Sequence, residues 1–588
     1  VGGLWITNVF ITYIHGGRHV ESSYRQDGDI CCHQGRCDLE NPTPAPVFPG
    51  EYHAVDNDII CAHPTPRGLV GVEDCLVLSI HTNNLTASNP VMVWLEGEDY
   101  DTISNIPYSY DNLVQQDIVF VSVNYRLSIF GFLCLGVPEA PGNVGLKDVV
   151  QALTWIQQNI AGFGGNPGNV ILFGHGSGAA MVDLITLSGK ADGLVHKAMV
   201  LSGSALSPSA VAYEPVAYAH AVGNKIGYTG KTNGELAELL SYTAIDLLVN
   251  AINDFEFYNN TPLFAPCVEN PQLNNDTFLT DSPINILRSG NYSHVPYIIG
   301  YVDREGSIRA QQALFSNWLK KMESNFSDFL QADLKFESEA NKTAVARTIR
   351  EFYFAQSSVG MATIEDFLDY QGDSLITMAA IRGASERAAT SRADVRIFEF
   401  AYKRPVDPEW TYQQIQLTGV RHGGLLSYVF DYNLSTLEIS SSNMLTSRIA
   451  VSARNLLTSR IAVYLFLDTG TKIPMLNSSN SILFHISLPF IYYPFINSRG
   501  QDPNITMWNP ISSSGIFQLL YISGQEVSTN VSLVKEEARG NIREEKTNFW
   551  NSIYSAHYRA PTSISGATSA RLAFILVPMF IALRLPLN

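Results

Sequence analysis

The chain is poor in basic residues: 38 Lys and Arg stand against 55 Asp and Glu, giving a formal net charge of −17 over 588 residues. That balance argues against nucleic-acid binding and against attraction to anionic membrane surfaces, both of which need a positive field. Long apolar runs are scarce as well. The terminal run 572–583 falls short of a membrane span, which takes about 20 apolar residues. The stretch 1–14 is apolar but lacks a basic n-region, so it does not read as a signal peptide. Cysteine is limited to seven, an odd number that leaves at least one thiol unpaired or intermolecular. Cys31, Cys32 and Cys37 cluster beside His33. That spacing suits a local disulfide with one thiol over, or a metal site whose remaining ligands are absent. Cys134, in an apolar stretch, reads as a buried free thiol, and Cys267 has no near neighbour in sequence.

What the chain does have is core material. Apolar residues make up 46% of it. Apolar strands alternate with helical runs over 90–205, the pattern of a parallel sheet covered on both faces. Residues 206–290 resemble an insertion that walls a site, and 310–400 are helical in pattern. After the apolar run 169–173 comes Gly174-His175-Gly176-Ser177-Gly178, which opens a helix-like segment. This is the setting of a nucleophile elbow, whose apex carries the attacking Ser on a sharp strand-to-helix turn. Here the apex is Gly176. A motif centred instead on Ser177 needs glycines at 175 and 179, where His175 and Ala179 stand.

Flanking blocks support that register. Pro90-Val91-Met92-Val93-Trp94, Asn124-Tyr125-Arg126-Leu127, Phe130-Gly131-Phe132-Leu133 and Pro141-Gly142-Asn143-Val144-Gly145-Leu146 lie upstream. Trp155-Ile156-Gln157-Gln158-Asn159-Ile160 and Phe163-Gly164-Gly165-Asn166-Pro167 follow, and Leu201-Ser202-Gly203-Ser204-Ala205 and Phe549-Trp550 lie downstream. In kind and order these blocks resemble the carboxylesterase/cholinesterase (type-B carboxylesterase) family from about 61 to 554. The resemblance implies an α/β-hydrolase fold: a large, mostly parallel central sheet with helices on both faces. The family elbow, Phe-Gly-Glu-Ser-Ala-Gly, aligns without a gap on Phe173 to Gly178, so the nucleophile position is Gly176.

The resemblance assigns the remaining machinery. Glu305 in Asp303-Arg304-Glu305-Gly306 matches the acid, and His422 in Gly419-Val420-Arg421-His422-Gly423 matches the base. Without a serine the pair is a buried, hydrogen-bonded remnant of the triad. The family's oxyanion run His-Gly-Gly-Gly-Phe falls on Glu96-Gly97-Glu98-Asp99-Tyr100, so the oxyanion positions are Gly97, Glu98 and the Ser177 N–H. Two of the three glycines are acidic, and carboxylates repel a developing oxyanion. Losing one oxyanion donor typically costs about 3–4 kcal/mol, and losing a triad nucleophile costs on the order of a million-fold in turnover. The acidic run is otherwise either a solvated loop or an exposed charged surface for binding. Cys61 and Cys75 match the family's first disulfide, and Arg126 is expected to pair with Asp148.

N-x-[ST] sequons occur at Asn84, Asn259, Asn275, Asn291, Asn325, Asn341, Asn433, Asn477, Asn504 and Asn530. With the disulfide they support secretion. The small polar stretch 561–570 before the apolar tail resembles a GPI-attachment signal; a marginal tail anchor and a plain apolar end are the alternatives. The expected organisation is a divergent segment 1–60, a carboxylesterase-like domain 61–556 and a spacer with hydrophobic tail 557–588. A repeat of 445–451 at 457–463 and the apolar stretch 483–495 depart from the family pattern. In the family a helix near 380 and the last helix form a homodimer interface, and the charged run 535–546 is either a solvated face or part of that contact.

Three function classes follow. The first is a catalytically inactive cell-surface interaction or adhesion glycoprotein with an extracellular protein partner, as in the family's inactive cholinesterase-like adhesion members. The second is an ester hydrolase with a non-standard nucleophile, resting on Ser177, Glu305 and His422. The third is a non-catalytic binder of small hydrophobic ligands. No cofactor or metal is expected at the site, and no nucleic-acid partner.

Overall fold

The computed structural model describes residues 7–12, 39–44, 59–65, 68–103, 108–273, 276–403, 411–412, 415–416, 418–432, 511–512, 519–528, 531–540 and 543–564. Cys31, Cys32, Cys37, the sequons at 275, 433, 477, 504 and 530, the 445–463 repeat, the stretch 483–495 and the terminal tail lie outside them.

Among the described residues, one ten-stranded sheet organises the fold. Its strands are β1 (Thr7–Thr12), β2 (Val77–Thr82), β3 (Asn89–Leu95), β4 (Val119–Val123), β5 (Gly165–His175), β6 (Lys197–Leu201), β7 (Tyr297–Val302), β8 (Val395–Lys403), β9 (Leu519–Ser528) and β10 (Val531–Arg539). The spatial order is β1-β2-β4-β3-β5-β6-β7-β8-β9-β10. From β4 through β9 every neighbouring pair is parallel. The pairs β1–β2, β2–β4 and β9–β10 are antiparallel.

The central strands are apolar almost throughout because both faces of the sheet are covered. Along β3, Val91, Val93 and Leu95 join one core cluster while Met92 and Trp94 join another. Trp94 meets Phe173 of β5 at 4.8 Å between ring centres, and full burial of such side chains stabilises by about 1.5–3 kcal/mol each. On the first face lie helices α1 (Val144–Asn159) and α2 (Ser177–Ser188). In α1, Leu146, Val149, Leu153 and Ile156 recur every three or four residues and are buried, the spacing of a helix with one apolar stripe. The helical reading of 310–400 corresponds to Trp318–Ser324, α3 (Glu339–Phe354) and α4 (Met378–Thr390).

Arg126 and Asp148 pair as expected, with Nη2–Oδ1 at 2.6 Å and Nε–Oδ2 at 2.8 Å, both side chains buried. Cys61 and Cys75 form a disulfide. Two expectations are corrected. Cys134 is not a free thiol: it is bonded to Cys267, 133 positions away. Asn143, which precedes α1, holds the same junction by donating to the Cys267 carbonyl at 2.9 Å and accepting the Cys267 N–H at 2.8 Å. This ties the 206–290 insertion to the core. The charged run 535–546 is not one solvated face. It starts in β10, and its end turns inward at the start of α5 (Glu544–His557), where Arg543 meets Glu399 at 3.0 Å and Lys546 meets Asp373 at 2.7 Å.

Candidate functional site

The site lies at the carboxyl ends of the central strands, where open α/β sheets place their ligands. At the end of β5 the chain turns sharply into α2, and Gly176 at the apex has φ 58° and ψ −124°. That conformation strains a residue with a side chain. The turn is also tight one residue pair earlier, since a Cβ on Gly174 would stand 2.6 Å from the Gly178 carbonyl. The elbow geometry is therefore intact although the nucleophile is absent.

Glu98 fills the space above the apex. A Cβ added to Gly176 would meet Glu98 Oε2 at 2.5 Å and Oε1 at 2.8 Å. The carboxylate contacts His175 Nδ1 at 2.9 Å through Oε1 and His422 Nε2 at 3.3 Å through Oε2. His422 Nδ1 lies 2.6 Å from Glu305 Oε2, and Glu305 Oε1 accepts the Val302 N–H at 2.9 Å. Glu305 and His422 thus meet as expected, Glu305 being 1% exposed. The result is a chain of four groups, His175–Glu98–His422–Glu305, in place of a triad.

Electrostatics follow from that chain. Ionised carboxylates only accept hydrogen bonds, so a histidine held between two of them donates from both nitrogens as an imidazolium. Burial pulls His422 downward, but Glu98 and Glu305 outweigh it and hold its pKa at about 10. Burial pushes the Glu98 carboxyl upward, yet His422 and His175 more than reverse this and hold it well below the usual carboxylate range.

The loop after β3 has been reshaped to deliver Glu98. Asp99 and Tyr100 have φ of 50° and 63°, a region favourable to glycine and strained for other residues. The loop is held by neighbours. Glu98 N–H donates to the Thr102 carbonyl at 2.9 Å, Tyr100 Oη donates to the Ala210 carbonyl at 3.0 Å, and Asp99 pairs with Arg309 at 3.1 Å. The Glu98 N–H is therefore committed to the loop rather than aimed at an oxyanion. Gly97 has no room for a side chain, with Tyr125 Oη and Ser177 Oγ against the position a Cβ would take. Neither expected reading of the acidic run holds: Glu98 is turned into the site and Asp99 is paired, so the run is neither a plain solvated loop nor a free charged surface.

Ser177, at the start of α2, lines the cleft above the site. Its Oγ accepts the Tyr100 N–H at 3.2 Å, and among the described residues it makes no hydrogen bond to His422. The cleft is narrow, with about 30 Å³ of space for water-sized molecules, and is bounded by Tyr100, Ser202, Ser207, Arg309 and Ile376. Ser207 comes from the 206–290 segment, which therefore does wall the site. Of the described sequons, Asn84, Asn291 and Asn325 are exposed, and Asn259 and Asn341 are partly buried.

Sequence reasoning missed His175. A signal was there: against the family pattern, glycine becomes Glu98 and the elbow glutamate becomes His175, two complementary changes that meet at 2.9 Å.

Comparison with known proteins bears on the family and the fold. The carboxylesterase family model matches residues 34–453. Venom carboxylesterase-6 of Apis mellifera is 29% identical over 345 residues, covering 57% of this chain and 61% of that protein. Esterase FE4 of Myzus persicae is 30% identical over 347 residues, covering 57% and 60%. The chain thus spans about three fifths of the length of these two curated relatives. Among solved structures, juvenile hormone esterase from Manduca sexta, with OTFP covalently attached, superposes with a TM-score of 0.71 at 23% identity, covering 88% of this chain and 92% of that one. That likeness carries the α/β-hydrolase fold. The chain belongs to the carboxylesterase family.

Proposed function

We propose that this chain is an extracellular member of the carboxylesterase family without serine-hydrolase activity, acting at the cell surface by binding a protein partner. The observation that carries the loss of activity is the Glu98 carboxylate, seated 2.5–2.8 Å from where a side chain on residue 176 would begin. Three features of serine catalysis are affected together. The apex has no hydroxyl, the base is ion-paired, and an oxyanion N–H is bonded within its own loop. Removing a single triad member leaves only a small residue of catalysis. The extracellular part of the proposal draws support from the Cys61–Cys75 and Cys134–Cys267 bridges and from exposed sequons at Asn84, Asn291 and Asn325. No helix among the described residues is long and apolar enough to cross a membrane.

The competing reading, an ester hydrolase using Ser177, is favoured by the names of the relatives, which are esterases. One experiment separates the two. The full chain is treated with a fluorophosphonate probe and peptide-mapped. The proposal expects no labelled active-site peptide. A label on Ser177 that disappears in Ser177→Ala would establish the hydrolase reading instead.

A further inference from the structure

The groups gathered above Gly176 form a donor set that serine chemistry never uses. Glu98, His175 and His422 each offer one ligand atom, and these atoms all lie within 4.8 Å of one another. We propose that they bind one divalent transition-metal ion, zinc by preference, between their three donor atoms at the elbow.

The chemistry of the set fits. Two imidazoles and one carboxylate suit zinc, which takes such trios with its fourth position left open. Zinc–ligand distances of about 2.0–2.2 Å place tetrahedral donors about 3.3–3.5 Å apart. Glu98 lies 2.9 Å from His175 Nδ1 and 3.3 Å from His422 Nε2, and no two of the three ligand atoms are more than 4.8 Å apart, so the ion would gather donors that are already neighbours.

The outer shell is also present. His422 faces the cluster with Nε2 while its Nδ1 is held by Glu305 at 2.6 Å; the ion displaces the Nε2 proton to solvent, and the Nδ1 proton stays on the Glu305 contact. A carboxylate on the far nitrogen is how metal-ligating histidines are oriented and made more basic. Glu305 is itself fixed by the Val302 N–H at 2.9 Å. Glu98 can reach both histidines because residue 176 is glycine: a Cβ there would stand 2.5 Å from its Oε2. Access exists too: the Glu98 side chain is 33% exposed and lines the cleft together with His422, so water or an anion can complete the coordination. His175 Nε2 is buried with no hydrogen-bond partner. A ring bound through Nδ1 carries its proton there unsatisfied, so the site is expected to be weaker than a closed four-ligand structural zinc site.

The test uses the full chain, freed of metal with a chelator and titrated with Zn²⁺ by calorimetry. Unfolding temperature and the visible absorption of a Co²⁺-loaded sample are read in parallel. One ion per chain, a raised unfolding temperature and a tetrahedral-type cobalt band are expected. Glu98→Gly, which restores the residue of the family pattern and adds no bulk, should abolish the stoichiometric binding while the chain still unfolds cooperatively. Glu305→Gln should weaken binding by about 10–100-fold without removing it. A parent chain that takes up no zinc, or a Glu98→Gly chain that binds as tightly as the parent, overturns the inference. An unlabelled parent chain that takes up no zinc defeats this inference alone, whereas fluorophosphonate labelling of the parent defeats the proposed function and leaves zinc binding to be judged on its own result.

Discussion

Glycine at 176 removes a hydroxyl, and the carboxylate of Glu98 occupies the space that remains and holds His422 at 3.3 Å. Both changes were visible as residue types, but only the first revealed its consequence in the sequence. The apex, acid and base were readable because family motifs fix them within short blocks. The destination of Glu98 was not, because its partner His175 stands 77 positions away and the two meet only once β3 and β5 lie side by side. A second residue-scale prediction concerns His81 on β2, whose ring lies 5.0 Å from that of Tyr110. Burial lowers its pKa from 6.5 to about 4, with Asp111 opposing. A depressed histidine stabilises the fold in its neutral form. That contribution is complete above pH 6.5 and is lost as the pH falls towards 4. His81→Phe should therefore lose less stability than the parent between those two pH values, measured as urea midpoints at each.

At the scale of elements, buried ion pairs join segments that local patterns describe separately. Arg126 and Asp148 fasten the turn after β4 to α1, with side chains 3% and 0% exposed. Arg126→Met would leave Asp148 buried and uncompensated, and about 3–5 kcal/mol of stability should go, measured by denaturant unfolding. The same physics explains why the run 535–546 is not the plain solvated face that one of its two sequence readings made it. A stretch of charges says nothing about distant partners, and those of Arg543 and Lys546 include Glu399 and Asp369, which stand 144 and 177 positions away. The apolar strands and α1 were readable because periodicity is local. Partner-dependent burial is not.

At the scale of the molecule, the second disulfide is the clearest case of information absent from local sequence. Cys134 and Cys267 seemed unrelated because nothing near either one marks the other. The fold closes a separation of 133 residues and pins the segment walling the cleft to the start of α1. Replacing both cysteines with alanine should cost about 2–5 kcal/mol, mainly through a freer unfolded chain. A urea midpoint unchanged from the parent would show that this tie contributes nothing. The family resemblance implied a large, mostly parallel sheet, and the parallel run from β4 to β9 that carries the site is of that kind; within that region the departure described above lies in the residues that fill the catalytic space.

The most direct measurement is the rate of fluorophosphonate labelling of Gly176→Ser against Gly176→Ser/Glu98→Gly. If Glu98 fills the nucleophile's place and holds the base, the single variant stays at least about 100-fold slower than the double, the scale set by loss of oxyanion stabilisation. Equal labelling of the two variants would contradict the account, because Glu98 would then obstruct nothing.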